Sequence, residues 1–285
     1  LVTSKAMFEA AQAGHFAIPS ANFVDEDSLK WHLEVAEQEN LPIIIALAES
    51  HLNRLIDLET AAYIAEYRAK KASVPVVLHL DHGESFETCK KAIDLGFTSV
   101  MIDGSKLPMA ENIALTKKVV DYAHAHGVVV EGEIGHVGSN ENADDNDIYT
   151  TVEEATTFAK ESQVDSLAVS IGTAHGLYKG TPKLNFDRLH ELAAAVSCPL
   201  VLHGGSSNKD EEISAAVKHG ICKVNISSDI KSAFYKKTRE VLNANPDYRE
   251  PLEIYPEGMK ECERVVEEKC RLFDSVGKAS LYYQD

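Results

Sequence analysis

The chain has 285 residues, 44% of them hydrophobic and 26% charged, an ordinary globular composition and a natural size for one α/β barrel. A formal net charge of −17 argues against a nucleic-acid or anionic-membrane partner, and it requires any anionic substrate to meet a locally positive site. No apolar run approaches transmembrane length, and no charged-then-apolar leader suggests secretion. The first residue is Leu1, so an initiator methionine is expected to have been trimmed.

Short apolar segments are expected as strands at 16–18, 42–48, 75–80, 99–103, 128–134, 166–171, 199–203 and 222–226. Helical patterns lie between them. DEDSLKWHLEVAEQEN opens on acidic capping residues, and ETAAYIAEYRAKK spaces its apolar residues at helical intervals. ENIALTKKVVDYAHAHG follows the fourth strand, and TVEEATTFAKESQ carries Thr151 and Glu154 at capping-box spacing. The segment HVGSNENADDNDIY, 136–149, is polar and aperiodic, as a lid loop after the fifth strand would be. KSAFYKKTREVLNANP and PEGMKECERVVEEKCRLFDS read as two further helices that cover the barrel or form a subunit contact. Eight strands alternating with helices predict a (β/α)8 TIM barrel with extra C-terminal helices, one domain over residues 1–285. A Rossmann-type sheet is the runner-up, but no GxGxxG follows the first strand. Cys89, Cys198, Cys222, Cys262 and Cys270 form no CxxC pair, which predicts reduced, buried thiols and a cytoplasmic protein.

Three histidines, His82, His175 and His203, each stand where an apolar run gives way to Gly, Ser or Thr. These are C-terminal strand ends, the face on which barrels do chemistry. Three converging imidazoles with a fourth position open would make a catalytic zinc site. Asp81 adjoins His82, either as a carboxylate that orients a ligand or as a general acid/base. Asp103 and Glu133 end the fourth and fifth strands, as further ligands or as neutralising charges. By strand alternation Glu131 shares a face with Glu133, and Lys223 with Asn225. Lys223 would lie one layer below the barrel mouth, paired with Glu131 in preference to acting as a Schiff-base lysine. His32, His51, His124, His126, His136, His190 and His219 fall in helical or loop segments and receive no role. HGGSS at 203–207 and NISSD at 225–229 offer backbone N–H groups and hydroxyls at the corner where many barrels bind phosphate.

The ordered set LHLDHGES, SVMIDGS, VEGEIGHVG, SLAVSIGTAHGLYKG, LVLHGGS, KVNISSD and SVGKA resembles the class II, metal-dependent ketose-bisphosphate aldolases, in the branch of tagatose- and fructose-1,6-bisphosphate aldolases. The resemblance spans nearly the whole chain. It implies catalytic zinc on His82, His175 and His203, with Asp81 as acid/base at the C4 hydroxyl of the sugar. Asp103 and Glu133 would match a second or alternative metal position. Glu141 would move the proton at C3 of dihydroxyacetone phosphate. Asn22 would lie near the active site. Gly176, Lys179, Gly204, Gly205, Ser206, Asn225, Ile226, Ser227 and Ser228 would hold the triose phosphate, assisted by a monovalent cation, Na+ or K+. The implied reaction is retro-aldol cleavage of a small phosphorylated ketose by a homodimer or homotetramer. Ser227 stands where fructose-selective relatives carry Asp, and Lys231, expected at the distal phosphate, where they carry Arg, which favours a tagatose-type substrate. Ala48 and Glu49 replace a hydroxyl residue common at the end of strand two. The alternatives are an aldolase for a deoxy-ketogluconate phosphate of inositol breakdown, or a non-catalytic partner subunit of an aldolase complex.

Overall fold

The computed structural model describes residues 1–135, 149–173 and 183–282. Eight parallel strands close into a barrel in sequence order: β1 (Ile18–Asn22), β2 (Ile43–Ala48), β3 (Val76–Gly83), β4 (Ser99–Ile102), β5 (Val129–Ile134), β6 (Ser166–Val169), β7 (Leu200–Leu202) and β8 (Ile221–Ile226), with β8 pairing back onto β1. Around them run α1 (Lys5–Gly14), α2 (Glu26–Gln38), α3 (Leu58–Ala69), α4 (Phe86–Asp94), α5 (Met109–Ala125), α6 (Val152–Ser162), α7 (Phe186–Ala195), α8 (Asp210–Lys218), α9 (Ser228–Ala244) and α10 (Pro251–Leu272). The expected barrel and its two added C-terminal helices are both present.

Local chemistry sets many of these boundaries. Asp25 and Thr151 close capping boxes at the starts of α2 and α6, and Asp57 and Ser85 accept the backbone N–H three residues on at α3 and α4. The first strand departs from expectation. It runs over Ile18–Asn22 rather than 16–18, because Pro19, Ser20 and Asn22 interrupt the apolar run in sequence yet every position of IPSAN is buried. Apolar content cannot mark a strand whose inner face lines a polar barrel mouth. α10 also begins earlier than expected, with Pro251 at its first position and Pro256 inside it. Pro256 forfeits its hydrogen bond to the carbonyl of Leu252, a residue 88% exposed, whose carbonyl can turn to water instead.

The main core lies between strands and helices, in the layer that covers the barrel wall. A second cluster forms where α1 lays Met7, Phe8 and Ala11 against Phe16 and against Ile18, Ile44, Val77 and Cys222. Those four sit at the beginnings of β1, β2, β3 and β8, so α1 plugs the N-terminal end of the barrel. All five cysteines are buried free thiols. No helix among the described residues is long and apolar enough to cross a membrane.

Candidate active site

The site stands on the C-terminal rim, and β3 supplies its centre. Between Leu80 and Gly83 that strand carries one residue more than β4 opposite, a β-bulge. The extra residue lets His82 take a φ of +50°, a backbone region that side chains other than glycine seldom adopt. His82 thereby follows Asp81 onto the barrel mouth instead of alternating away from it. Gly83 fits this bend because a Cβ there would lie 2.5 Å from the Met101 carbonyl and 2.8 Å from Cys89 Sγ.

Asp81 is gripped on both oxygens. Asn22 Nδ2 at the end of β1 donates to Oδ2 at 2.8 Å, and Asn225 Nδ2 on β8 donates to Oδ1 at 3.1 Å. Burial would raise its pKa, but the charges of His82, His203 and Lys223 outweigh it and hold the carboxyl well below the usual range. Behind Asn22 stands His32 of α2, fully buried, whose Nε2 bonds the Asn22 carbonyl at 3.0 Å. Burial lowers His32 to about 4, so the ring is neutral and Nε2–H is the donor.

His203 follows β7. Its Nε2 lies 2.7 Å from Glu131 Oε1, and the other Glu131 oxygen takes the Lys223 ammonium at 2.7 Å. All three residues are buried. The expected pairing of Lys223 with Glu131 is therefore present, one layer beneath the rim. Lys223 also approaches His79 Nε2 at 3.3 Å, and His79 Nδ1 bonds Ser99 Oγ at 2.8 Å. Burial would raise Glu131, yet Lys223 and His203 keep it well below the carboxylate range. An ionised Glu131 accepts Nε2–H from a neutral His203, whose pKa is lowered chiefly by burial. The lone pair of His203 is thus fixed on Nδ1.

That Nδ1 faces His82 Nε2 at 3.1 Å. Two ligands on a tetrahedral zinc at ordinary Zn–N distances stand about 3.3 Å apart. The other His82 nitrogen, Nδ1, meets Asp103 Oδ2 at 3.1 Å and lies 3.8 Å from Glu133 Oε2. Among the described residues two candidate metal groups result, Asp81 with His82 and His203, and His82 with Asp103 and Glu133. A neutral imidazole has one lone pair, so both groups cannot use His82 at once. With Nε2 toward a metal, Nδ1–H donates to Asp103, the arrangement that orients a metal-bound histidine. Among the described residues the buried Glu133 Oε2 has no hydrogen-bond partner, so it keeps capacity to face a cation. Burial first, and the charge of Asp103 second, push Glu133 up to about 8. His82 shows the complement. Burial opposes its charge, but Asp81, Asp103 and Glu133 raise it to about 9. These donors fit a divalent cation, with His82 and His203 as nitrogen ligands and the carboxylates as neighbouring charge.

Beside these groups lies a cavity of about 280 Å³ lined by Asn22, Ala48, Ser50, His51, Asp81, His82, Gly204, Ser206, Asn225, Ser227, Ser228 and Lys231. Nine of the expected site residues thus share one wall. Gly204 turns the chain out of β7 at a φ of +68°, and Gly205 begins the short 3-10 turn Gly205–Ser207. The Ile226 side chain is 2% exposed and belongs to the core, so only its backbone can face the cavity. His175, Gly176, Lys179 and Glu141 lie outside the described residues. Sequence reading missed Ser50 and His51 in the cavity wall and the supporting roles of His32 and His79. Ser50 and His51 did carry a signal, since they follow an apolar strand run as the three recognised histidines do.

Comparisons with known proteins bear on the family and the fold. Residues 2–278 match the family model described as fructose-bisphosphate aldolase class-II. The 6-phospho-5-dehydro-2-deoxy-D-gluconate aldolase of Bacillus licheniformis is 40% identical over 281 residues, 98% of this chain and 96% of that protein. The fructose-bisphosphate aldolase of Staphylococcus epidermidis is 37% identical, over 98% of this chain and 99% of its own. The crystal structure of the YdjI aldolase from Escherichia coli K12 superposes with a TM-score of 0.87 at 34% identity, covering 98% of this chain and 99% of that one. A closed eight-stranded barrel, buried imidazole and carboxylate groups on its C-terminal rim and a family match along almost the whole length lead to one conclusion: this chain belongs to the class II fructose-bisphosphate aldolase family and is an aldolase, a carbon–carbon lyase.

Proposed function

We propose that the protein uses zinc to cleave a phosphorylated ketose reversibly into dihydroxyacetone phosphate and an aldehyde. The observation that carries this reading is the pair of imidazole nitrogens, His82 Nε2 and His203 Nδ1, 3.1 Å apart beside the doubly bonded Asp81. His82, His175 and His203 would hold the zinc. When bound, the metal supplies positive charge that polarises the ketone and offsets the negative charge developing on its oxygen. Asp81, ionised and fixed by two amide donors, accepts the proton of the C4 hydroxyl as C3–C4 breaks. Glu141 moves the proton at C3. Asp103 orients His82, while Glu133 supplies a second carboxylate beside it. Gly176, Lys179, the Gly204–Ser206 turn and Asn225–Ser228 hold the triose phosphate with backbone N–H groups and hydroxyls, helped by a monovalent cation. The protein works in the cytoplasm, as one barrel domain and as a homodimer or homotetramer.

His203→Ala tests the centre. It should abolish both bound zinc and cleavage; full zinc occupancy in that variant would remove His203 from the ligand set. Among bisphosphates, the small Ser227 and the point charge of Lys231 favour tagatose 1,6-bisphosphate over its C4 epimer. The ratio of kcat/KM for the two sugars tests this, and a clear preference for fructose 1,6-bisphosphate would refute it. A second reading, a deoxy-ketogluconate phosphate, is favoured by the 40% identity to the Bacillus licheniformis protein. Both readings share the dihydroxyacetone phosphate half of the substrate and differ in the aldehyde half.

A further inference from the structure

We propose that His51, Ser50 and Lys231 form the subsite for the aldehyde end of the ketose, and that this subsite takes a carboxylate in preference to a second phosphate. The inference rests on the aldolase reading above and concerns only the half of the substrate that reading leaves open.

The cavity follows the rim from β7, through β8 and β1, to β2 and β3. Neighbouring strands lie about 4.8 Å apart, so the ends of β7 and β2 are separated by about 14 Å of rim. The Gly204–Ser206 turn occupies one end, with the backbone donors and hydroxyls suited to a phosphate. Ser50 and His51 occupy the other, directly after β2, and Lys231 reaches toward them from the first turn of α9. A chain phosphorylated at the first end and reacting beside Asp81 places its far terminus against His51.

This end of the cavity is hydrogen-bonded to its neighbours and carries few cationic side chains. Glu49 pins the turn that carries Ser50 and His51, accepting the Glu84 N–H at 2.6 Å and the Thr88 hydroxyl at 2.8 Å. His51 Nδ1 is buried and has no hydrogen-bond partner among the described residues. Burial first and Lys231 second lower the pKa of His51, so the ring is neutral and offers one N–H and one lone pair. Ala48, the last residue of β2, brings no hydroxyl. Lys231 is the one lysine or arginine among the described residues of the lining. One fixed positive charge balances one carboxylate. A phosphate monoester carries about −1.5 to −2 near neutrality and would leave unpaired negative charge beside Asp81 and Glu49.

The test runs the reaction in the direction of synthesis. Dihydroxyacetone phosphate loses a proton at C3, C3 bonds the aldehyde carbon, and the aldehyde oxygen takes a proton to become a hydroxyl; nothing is oxidised or reduced. Three acceptors separate the possibilities: malonic semialdehyde with a carboxylate, glyceraldehyde 3-phosphate with a phosphate, and uncharged glyceraldehyde. The wild-type holoenzyme should give malonic semialdehyde a kcat/KM at least about 10-fold above both others, the scale of one hydrogen bond to a charged group. Lys231→Met and His51→Ala should each lower the preference for malonic semialdehyde over glyceraldehyde by about 10-fold, and His51→Gln, which keeps an N–H donor, should restore most of it. A higher kcat/KM for glyceraldehyde 3-phosphate overturns the inference, and so does a preference that both variants leave unchanged. Hydrogen exchange at C3 of dihydroxyacetone phosphate by the wild-type protein needs no aldehyde. Absent exchange would defeat the aldolase reading itself, whereas exchange with a phosphate preference defeats the subsite alone.

Discussion

At the scale of single residues, the site sorts its ionisable groups by what surrounds each one. Asp81 and Glu131 are buried among positive partners and stay ionised. Glu133, buried beside Asp103, holds a proton up to about 8, and His82 among carboxylates holds one up to about 9. Both of these pKa values are raised on folding, from 4.5 and 6.5. Their contribution to stability is therefore complete below those starting values and is lost as pH climbs through about 8 and about 9. A divalent cation that displaces both protons removes this loss. The melting temperature of metal-free protein should accordingly fall relative to that of metal-loaded protein as pH rises from 6.5 to 9. Paired thermal scans across that range check it, and a constant difference would mean that neither group titrates where its surroundings place it.

Among the elements, β3 matters most. A regular strand would point Asp81 into the barrel mouth and turn His82 back into the wall. The bulge brings both onto the same face, at the expense of a left-handed residue. Gly83 makes that bend possible, because its missing side chain admits the Met101 carbonyl. Gly83→Ala should push β3 away from β4, costing about 1–3 kcal/mol, the usual range for overpacking. It should also weaken metal binding by re-aiming His82. Denaturant unfolding and chelator competition measure the two effects separately, and a stable variant with unchanged metal affinity would show that the bulge is not what sets His82. Two strands away, α2 contributes through His32, which fixes the Asn22 carbonyl at the end of β1 while the Asn22 amide holds Asp81.

For the whole molecule, the barrel is a vessel with an apolar stopper and a polar interior that rises to the rim. α1 closes the bottom, and above it run Ser99, His79, Lys223, Glu131 and His203 in hydrogen-bonded sequence. Removing one partner of a buried ion pair strands the other, so Lys223→Met should cost about 3–5 kcal/mol. Lys223→Met combined with Glu131→Leu should recover much of that stability, since an apolar pair needs no compensation. The double variant should nevertheless bind metal about 10- to 100-fold more weakly, because nothing then holds the Nε2 proton of His203. Equal metal affinity in the double variant and the wild type would reduce the Glu131–Lys223 pair to a purely structural role.

The sequence by itself determined the period of the fold and most of the site. Alternating strand and helix patterns specify the barrel, and residues that end strands in a barrel must share a rim, so the pattern alone groups Asp81, His203 and Asn225. Strand parity was enough to pair Lys223 with Glu131, because alternation is a local property of an extended chain. Tertiary structure decided what parity cannot carry. IPSAN becomes a strand only because its neighbours bury it, whatever its own polarity. His82 joins the site through a bulge that breaks the alternation. Ser50, His51, His32 and His79 acquire roles from groups brought close by barrel closure and helix packing; Ser99 and His79 are 20 residues apart along the chain, and Lys231 and His51 are 180 apart. Such encounters depend on which elements become neighbours in space, and a linear pattern of residue types does not encode them one by one.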